Sequence, residues 1–356
     1  MKHAAKIIIA IVLVTISLSM LVSVSASRST IEITAAGVPK YWGETRDYDA
    51  WFSELAAAGI TDFLPFSEYQ EFPEALYLGY EVDFFPPCSY DDAAFQALRA
   101  HKIKLLVAGE VLYADGFPPL EEDPLRALMA CAGEGMISAV LSVDEPGITQ
   151  IHADDPTRNA RMLYEHVKAV DPSLPVMMVH APIPQTVVES DGTSRPVNQV
   201  DVDTYLRHIE EFSLYADIIG FDLYPIPAEF ASLIAPNLGL SHFEYKAAFP
   251  AYFDWLHDVA AGKPYFLVLQ AFSFERELSP EMAQEVKDAG FHLRFPTESE
   301  LQDMACLAVE GGVSKLALWG QSFLLSEDEA FWESVLAVSH SITTDEADYC
   351  EQRPIP

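Results

Sequence analysis

Two adjacent carboxylates, Asp144 and Glu145, stand at the end of an apolar run in Ile137–Gly147 (ISAVLSVDEPG), and Pro146 follows at once. Neighbouring acids can divide proton chemistry between them when their surroundings push their pKa values apart, one donating while the other stays ionised. The run is apolar on both faces, as a buried parallel strand is. Pro146 has no N–H to donate, so it is expected to end the ladder and to hold Glu145 extended. The competing reading is an acidic helix start with proline in its first turn.

The rest of the chain decides where these acids sit. Strands are read at 30–38, 61–66, 103–108, 137–143, 175–180, 216–223, 265–270 and 315–319. Amphipathic helices are read at 49–58, 91–100, 124–132, 157–170, 203–214, 245–260, 297–310 and 328–339. Alternation of this kind implies a parallel sheet, and eight strand–helix units imply a closed (β/α)8 TIM barrel of class α/β. A doubly wound open sheet is the runner-up, weakened because no G-x-G-x-x-G follows the first strand. Long excursions at 67–90, 183–201, 226–244 and 271–296 all follow strands, so they gather on one face of such a barrel.

In this fold the strand ends converge. They carry Trp42, Glu110, Asp144 with Glu145, His180, Asp222 with Tyr224, Gln270, and Trp319 with Gln321. Carboxylates exchange protons and flat aromatic rings stack on sugar faces, a combination that suits cleavage of glycosidic bonds. Glu145, Asp144 and Asp222 are therefore the candidate catalytic acids. Trp42, Glu110, His180, Tyr224, Gln270 and Trp319 are the candidate substrate contacts. Each has a plainer reading. His180 suits a hydrogen-bonded structural histidine, Trp319 suits lid packing, and Asp222 suits a turn cap. Gly109 permits a bulge that would turn Glu110 outward.

These pieces resemble the barrel domains of secreted glycoside hydrolases. The shared elements are D-E-P after strand four, D-x-Y-P after strand six (Asp222 to Pro225) and L-Q-A-F after strand seven (Leu269 to Phe272). R-F-P-T-x-x-E-L runs from Arg294 to Leu301, and Trp319 closes strand eight. The retaining members of that group resemble this chain at strand four, but they carry a nucleophilic Glu at strand seven, where Gln270 stands here. The Asp-Glu pair is similar to that of N-acetylhexosaminidases, in which the Glu is the general acid and the Asp orients a substrate acetamido nucleophile. The resemblance thus implies a substrate-assisted mechanism, or an inverting one with Glu145 as acid and Asp222 or Glu110 as base. The alternative is a carbohydrate-binding barrel without catalysis, which Gln270 favours. A barrel lyase or esterase ranks third, since there is no G-x-S-x-G and no lysine at a strand end.

Lys2 and Lys6 precede an apolar segment from Ile7 to about Val22, and Val24-Ser25-Ala26 supplies a small-x-small cleavage site. Residues 1–26 read as a secretory signal peptide, an uncleaved membrane anchor being the lesser reading. Residues 27–342 are then the barrel and 343–356 a C-terminal tail, in a secreted or periplasmic protein. The full chain carries 54 acids against 21 lysines and arginines, net −33. Such a charge argues against nucleic acid or an anionic membrane surface as partner. Without H-x-H, H-E-x-x-H or C-x-x-C, no metal or cofactor is expected.

The acidity fits either a salt-rich habitat or an ordinary secreted acidic protein. Its mutual repulsion should be screened by salt. The thermal midpoint is expected to rise between low and molar sodium chloride; an unchanged or falling midpoint would contradict this. Cys88, Cys131, Cys306 and Cys350 permit three disulfide pairings in an exported protein. Cys131 and Cys306 lie in apolar helical patterns that also suit buried free thiols.

Overall fold

The parallel strands expected from the apolar runs close into a barrel in the computed structural model. It describes residues 31–39, 47–65, 69–72, 75–78, 82–114, 116–149, 155–182, 186–188, 194–196, 202–228, 245–260 and 262–351. The segment read as a signal peptide lies outside these residues, and so does Trp42.

The barrel strands are β1 (Glu32–Ala36), β2 (Asp62–Leu64), β3 (Lys104–Ala108), β4 (Ile137–Leu141), β5 (Val176–His180), β6 (Ile218–Leu223), β7 (Tyr265–Gln270) and β8 (Lys315–Trp319). Each pairs in parallel with its neighbours in chain order, and β1 closes on β8 with Glu32 opposite Lys315 and Ala36 opposite Trp319. Crossovers run through α1 (Tyr48–Ala57), α2 (Ala93–His101), α3 (Pro124–Ala132), α4 (Arg158–Val170), α5 (Val202–Ser213), α6 (Tyr245–Val259), α7 (Pro280–Asp288) and α8 (Glu298–Glu310), and α9 (Glu329–Glu351) follows β8. β7 and β8 keep their expected bounds, while β1, β2 and β6 are shorter. The expected irregular stretch 67–90 holds an antiparallel hairpin, Tyr69–Phe72 against Ala75–Leu78.

Parity along each strand sorts the side chains. Ala36, Leu64, Leu106, Ala139, Met177, Val179, Phe266, Val268 and Ala317 fill the lumen. The alternate residues, such as Ile33, Phe63, Val140, Phe221 and Leu267, pack under the helices. Gly220 is the lumen residue below Asp222. A Cβ there would meet the Phe266 carbonyl oxygen at 2.3 Å, so only glycine lets Phe266 fill the lumen at that level. At the opposite, N-terminal end, buried Lys315 lies 3.1 Å from Asp62 and 3.2 Å from Glu32, closing the floor with an ion pair. A third apolar cluster (Phe272, Phe274, Ala283, Leu293, Phe323) sits beyond β7 and β8 and fixes the segment between β7 and α8 against the rim.

Both cysteines expected to suit free thiols are instead bonded, Cys88 to Cys131 and Cys306 to Cys350. The pattern was apolar because these cysteines pack inward from α3 and α8, but the partners approach from outside the repeating units. α9 runs to Glu351, well past the end expected at 339, and so carries Cys350 to α8. The bridges span sequence separations of 43 and 44. Loops of that length are worth about 4 kcal/mol in the chain-entropy treatment. Cys306→Ala with Cys350→Ala is expected to lower unfolding free energy by about 2–4 kcal/mol in a denaturant titration, with no loss of the barrel's circular dichroism.

Candidate active site

Four strand ends bring five carboxylates to the C-terminal rim. β4 stops at Leu141, and the amide of Ser142 still bonds the carbonyl of Met177 at 2.6 Å. The ladder thus ends before the acids rather than at Pro146, which instead opens the short helical turn Pro146–Thr149. Both readings of D-E-P hold in part: the acids leave a strand end and precede a helical start. The backbone of Glu145 differs from the extended form expected ahead of proline. It has φ +43°, in the left-handed region that costs a non-glycine residue of order 1 kcal/mol or more. The turn into Pro146 reverses the chain, and this strain aims the Glu145 side chain at β6.

There it meets Asp222. The Glu145 carboxyl and the Tyr224 hydroxyl lie within hydrogen-bonding reach of the Asp222 carboxyl. Two carboxylates within that reach repel each other when both are ionised, which favours one proton held between them. Burial, opposed by the bond from Glu145 and assisted by the charge of Asp144, pushes Asp222 up to about 7. Asp222 is only 6% exposed, and its Oδ1 has no hydrogen-bond partner.

Asp144 sits on the solvent side of this pair. The protein walls of the mouth, then the charges of Glu145 and Glu110, push its pKa up to about 8. Solvent reaches the Asp144 side chain and screens part of that repulsion. Glu110 does not turn outward on a bulge. Gly109 opens a helical turn at the end of β3, and Glu110 Oε2 accepts a bond of 3.2 Å from the Asp144 amide. Its own pKa is raised, chiefly by the protein atoms crowded around its carboxyl, although the residue as a whole stays exposed.

Glu277 is the fifth carboxylate, and the strand-end reading missed it. Ser273 caps a single helical turn after β7, Phe274–Glu277, through a 3.2 Å bond from the Glu275 amide. Arg276 bonds Asp328 at 3.0 and 2.9 Å and Glu327 at 2.8 Å. Successive residues point about 100° apart on a helix, so anchoring Arg276 outward leaves Glu277 facing the mouth. Burial and then the charge of Glu145 push Glu277 up to about 7, and its Oε2 is buried without a partner. The signal for it was the serine cap in S-F-E-R-E, which fixes where a short turn begins and therefore ends.

Two expected substrate contacts are structural. His180 has the parity of the helix-facing residues; it is buried, its Nε2 lies 3.2 Å from Ser213 Oγ on α5, and burial drives its pKa down to about 3. It is a neutral packing histidine, not a sugar contact. Gln270 does face the rim, but its amide is consumed by backbone. Its Nε2 donates to the carbonyls of Ile226 (2.7 Å) and Phe272 (3.2 Å), and its Oε1 accepts from the Ile226 amide (2.9 Å). It clasps the loop after β6 to the end of β7 in place of touching a ligand. Trp319 and Tyr224 are half-buried at the mouth and pack against the lumen and rim clusters, Tyr224 edge-on against Phe272. Gln321, Ser142 and Tyr205 add buried polar atoms without partners, the first on the turn after β8. Among the described residues no group of His, Cys, Asp and Glu side chains has the arrangement to hold a metal ion.

No protein-family model matches the sequence, and no curated protein sequence does. Solved structures do match the fold. A candidate alpha-L-fucosidase from Bacteroides thetaiotaomicron superposes with a TM-score of 0.54 at 14% identity, over 91% of this chain and 97% of that one. A cold-adapted beta-galactosidase from Rahnella sp. R3 gives 0.50 at 12% identity, over 92% of this chain and 57% of that one. Identities this low show the fold alone. The chain has a barrel of the kind found in glycoside hydrolases.

Proposed function

We propose that the chain is an extracytoplasmic glycoside hydrolase in which Glu145 is the general acid, Asp222 holds its proton, and Asp144 is the partner carboxylate. The observation that carries this is the close approach of Glu145 to the buried Asp222 at the C-terminal rim. A carboxylic acid protonates a leaving oxygen near neutral pH only if it keeps its proton there, which a buried, shared proton allows. Carboxyls within hydrogen-bonding reach stand closer than the about 5 Å or about 6.5–9.5 Å of glycosidase pairs. The partner role therefore falls to Asp144, which orients a substrate acetamido group or, at a pH where it has ionised, acts through a water. Trp319 and Tyr224 supply faces for the ring, and the leader segment supports a place outside the cytoplasm.

A non-catalytic carbohydrate-binding barrel is the second reading, favoured by the commitment of Gln270 to backbone at the place where a strand-seven nucleophile would stand. The two separate in one assay. Purified protein is incubated with a panel of neutral, amino and acetamido oligosaccharides, and new reducing ends are counted. Release that disappears in Glu145→Gln supports the hydrolase; binding without release supports the second reading.

A further inference from the structure

The register of β6 on β7 sets Asp222 opposite Val268 and Leu223 opposite Leu269. One step further the ladder would pair Tyr224 with Gln270, but it stops at Leu223. In Tyr224-Pro225-Ile226-Pro227 the two prolines have no N–H to donate, so Ile226 carries the sole backbone donor of residues 225–227. Ile226 is buried, and buried backbone groups need partners. The fully buried amide of Gln270 supplies both. Its Oε1 accepts from the Ile226 amide at 2.9 Å, and its Nε2 donates to the Ile226 carbonyl at 2.7 Å. Nε2 also donates to the Phe272 carbonyl at 3.2 Å. One side chain thus fixes the backbone two residues beyond Tyr224. It fixes as well the residue whose ring packs edge-on against Tyr224, with centroids 5.1 Å apart.

We propose that Gln270 is a positioning residue: by binding Ile226 and Phe272 it holds the Tyr224 hydroxyl within reach of Asp222. Asp222 is faced by Glu145 and Asp144 from the end of β4, by Tyr205 from α5 and by Tyr224 from its own strand end. Glu277 faces Tyr224 from the turn after β7. Among these groups Tyr224 is the neutral donor within reach, and such a donor favours the ionised form of the carboxylate. Tyr224 therefore sets how firmly Asp222 keeps its proton, and Gln270 acts through Tyr224. An apolar side chain of similar length would leave the Ile226 amide and carbonyl buried without partners, so the loop must shift to satisfy them. A protonated carboxyl in the same place still offers Ile226 one acceptor and one donor, and gives up only the bond to Phe272. The role rests on the glycosidase reading of Glu145 and Asp222, but its measurement does not.

The test follows the Asp222 carboxyl itself and needs no substrate. Protein labelled with carbon-13 at its aspartate carboxyls is titrated by NMR, the Asp222 signal being the one lost in Asp222→Asn. Tyr224→Phe is expected to raise the Asp222 midpoint by about one pH unit, Gln270→Met to raise it equally, and the double variant no further. Gln270→Glu should keep the wild-type midpoint, because burial holds the introduced carboxyl protonated and able to clasp Ile226. In the wild type, hydrogen exchange at the Ile226 amide should be slowed at least about a hundredfold relative to an open amide. That measurement keeps the proposal testable if Gln270→Met does not fold. A midpoint left in place by Tyr224→Phe or by Gln270→Met would overturn it. So would shifts that add in the double variant, a Gln270→Glu that behaves as Gln270→Met does, or an unprotected Ile226 amide. A shared shift in a chain that cleaves no glycoside would instead sink the hydrolase reading and leave this inference standing.

Discussion

Glu145→Gln is expected to lower kcat/KM on glycans with poor leaving groups by about 10²–10⁴-fold, the range that general acid catalysis contributes. Gln keeps the shape and a donor towards Asp222 but has no proton to give. Aryl glycosides with acidic phenol leaving groups depart without protonation, so they should lose about tenfold or less. Asp144→Asn should slow both substrate types, because the partner carboxylate is needed whatever departs. The pattern across leaving groups separates a lost acid from a disturbed fold, which would depress all substrates alike. Uniform loss in Glu145→Gln would contradict the assignment.

Folding stability is expected to fall as pH rises through neutrality, and Asp222 is the main cause. Its pKa is raised from 3.8 to about 7 in the folded chain. Below about pH 4 the folded and unfolded chains both hold the proton. Between there and about 7 only the unfolded chain releases it, so the stability that the folded carboxyl contributes is lost across that window. A shift of this size is worth on the order of 2–4 kcal/mol for a residue as buried as Asp222. Glu277, raised from 4.5 to about 7, acts in the same direction. His180, held down near 3, and Glu300, held near 2 mainly by Arg294, work the opposite way. His180 contributes stability above its usual 6.5 and loses it as pH falls towards 3, and Glu300 does so below its usual 4.5. Comparison of variants isolates the term: unfolding free energy of the wild type should drop from pH 5.5 to 8, and Asp222→Asn should flatten that drop. An equal slope in both would contradict the buried, raised carboxyl.

The barrel was legible because its strands are short apolar runs with clear stops. β7 and β8 end where Gln270 and Trp319 interrupt them, and Asp222 announces itself as an acid inside an apolar run. What stayed hidden was direction. A parallel strand buried on both faces is apolar at every position, so the sequence does not say which parity looks into the lumen. That is why His180, facing α5, and Asp222, facing the mouth, looked alike as polar strand ends. Gln270 has the right parity but is spent on Ile226 and Phe272, a use that depends on a loop brought near only by folding. Glu277 escaped because it stands on a turn beyond the strand. The left-handed backbone of Glu145 runs against the local preference before proline, and such departures gather where a site imposes them. The disulfides join segments whose proximity only the closed barrel creates.

The most direct test is a double-mutant cycle on Glu145 and Asp222, read as kcat/KM for an unactivated oligosaccharide that the wild type cleaves. Residues that hold one proton between them act as a unit, so their losses do not add. Each single variant, Glu145→Gln and Asp222→Asn, is predicted to lose about 10²–10⁴-fold, and the double variant little more than the worse of the two. If Glu145→Gln leaves turnover intact, or if the two losses multiply, the shared-proton acid is wrong and the D-E-P turn is only the start of a helix.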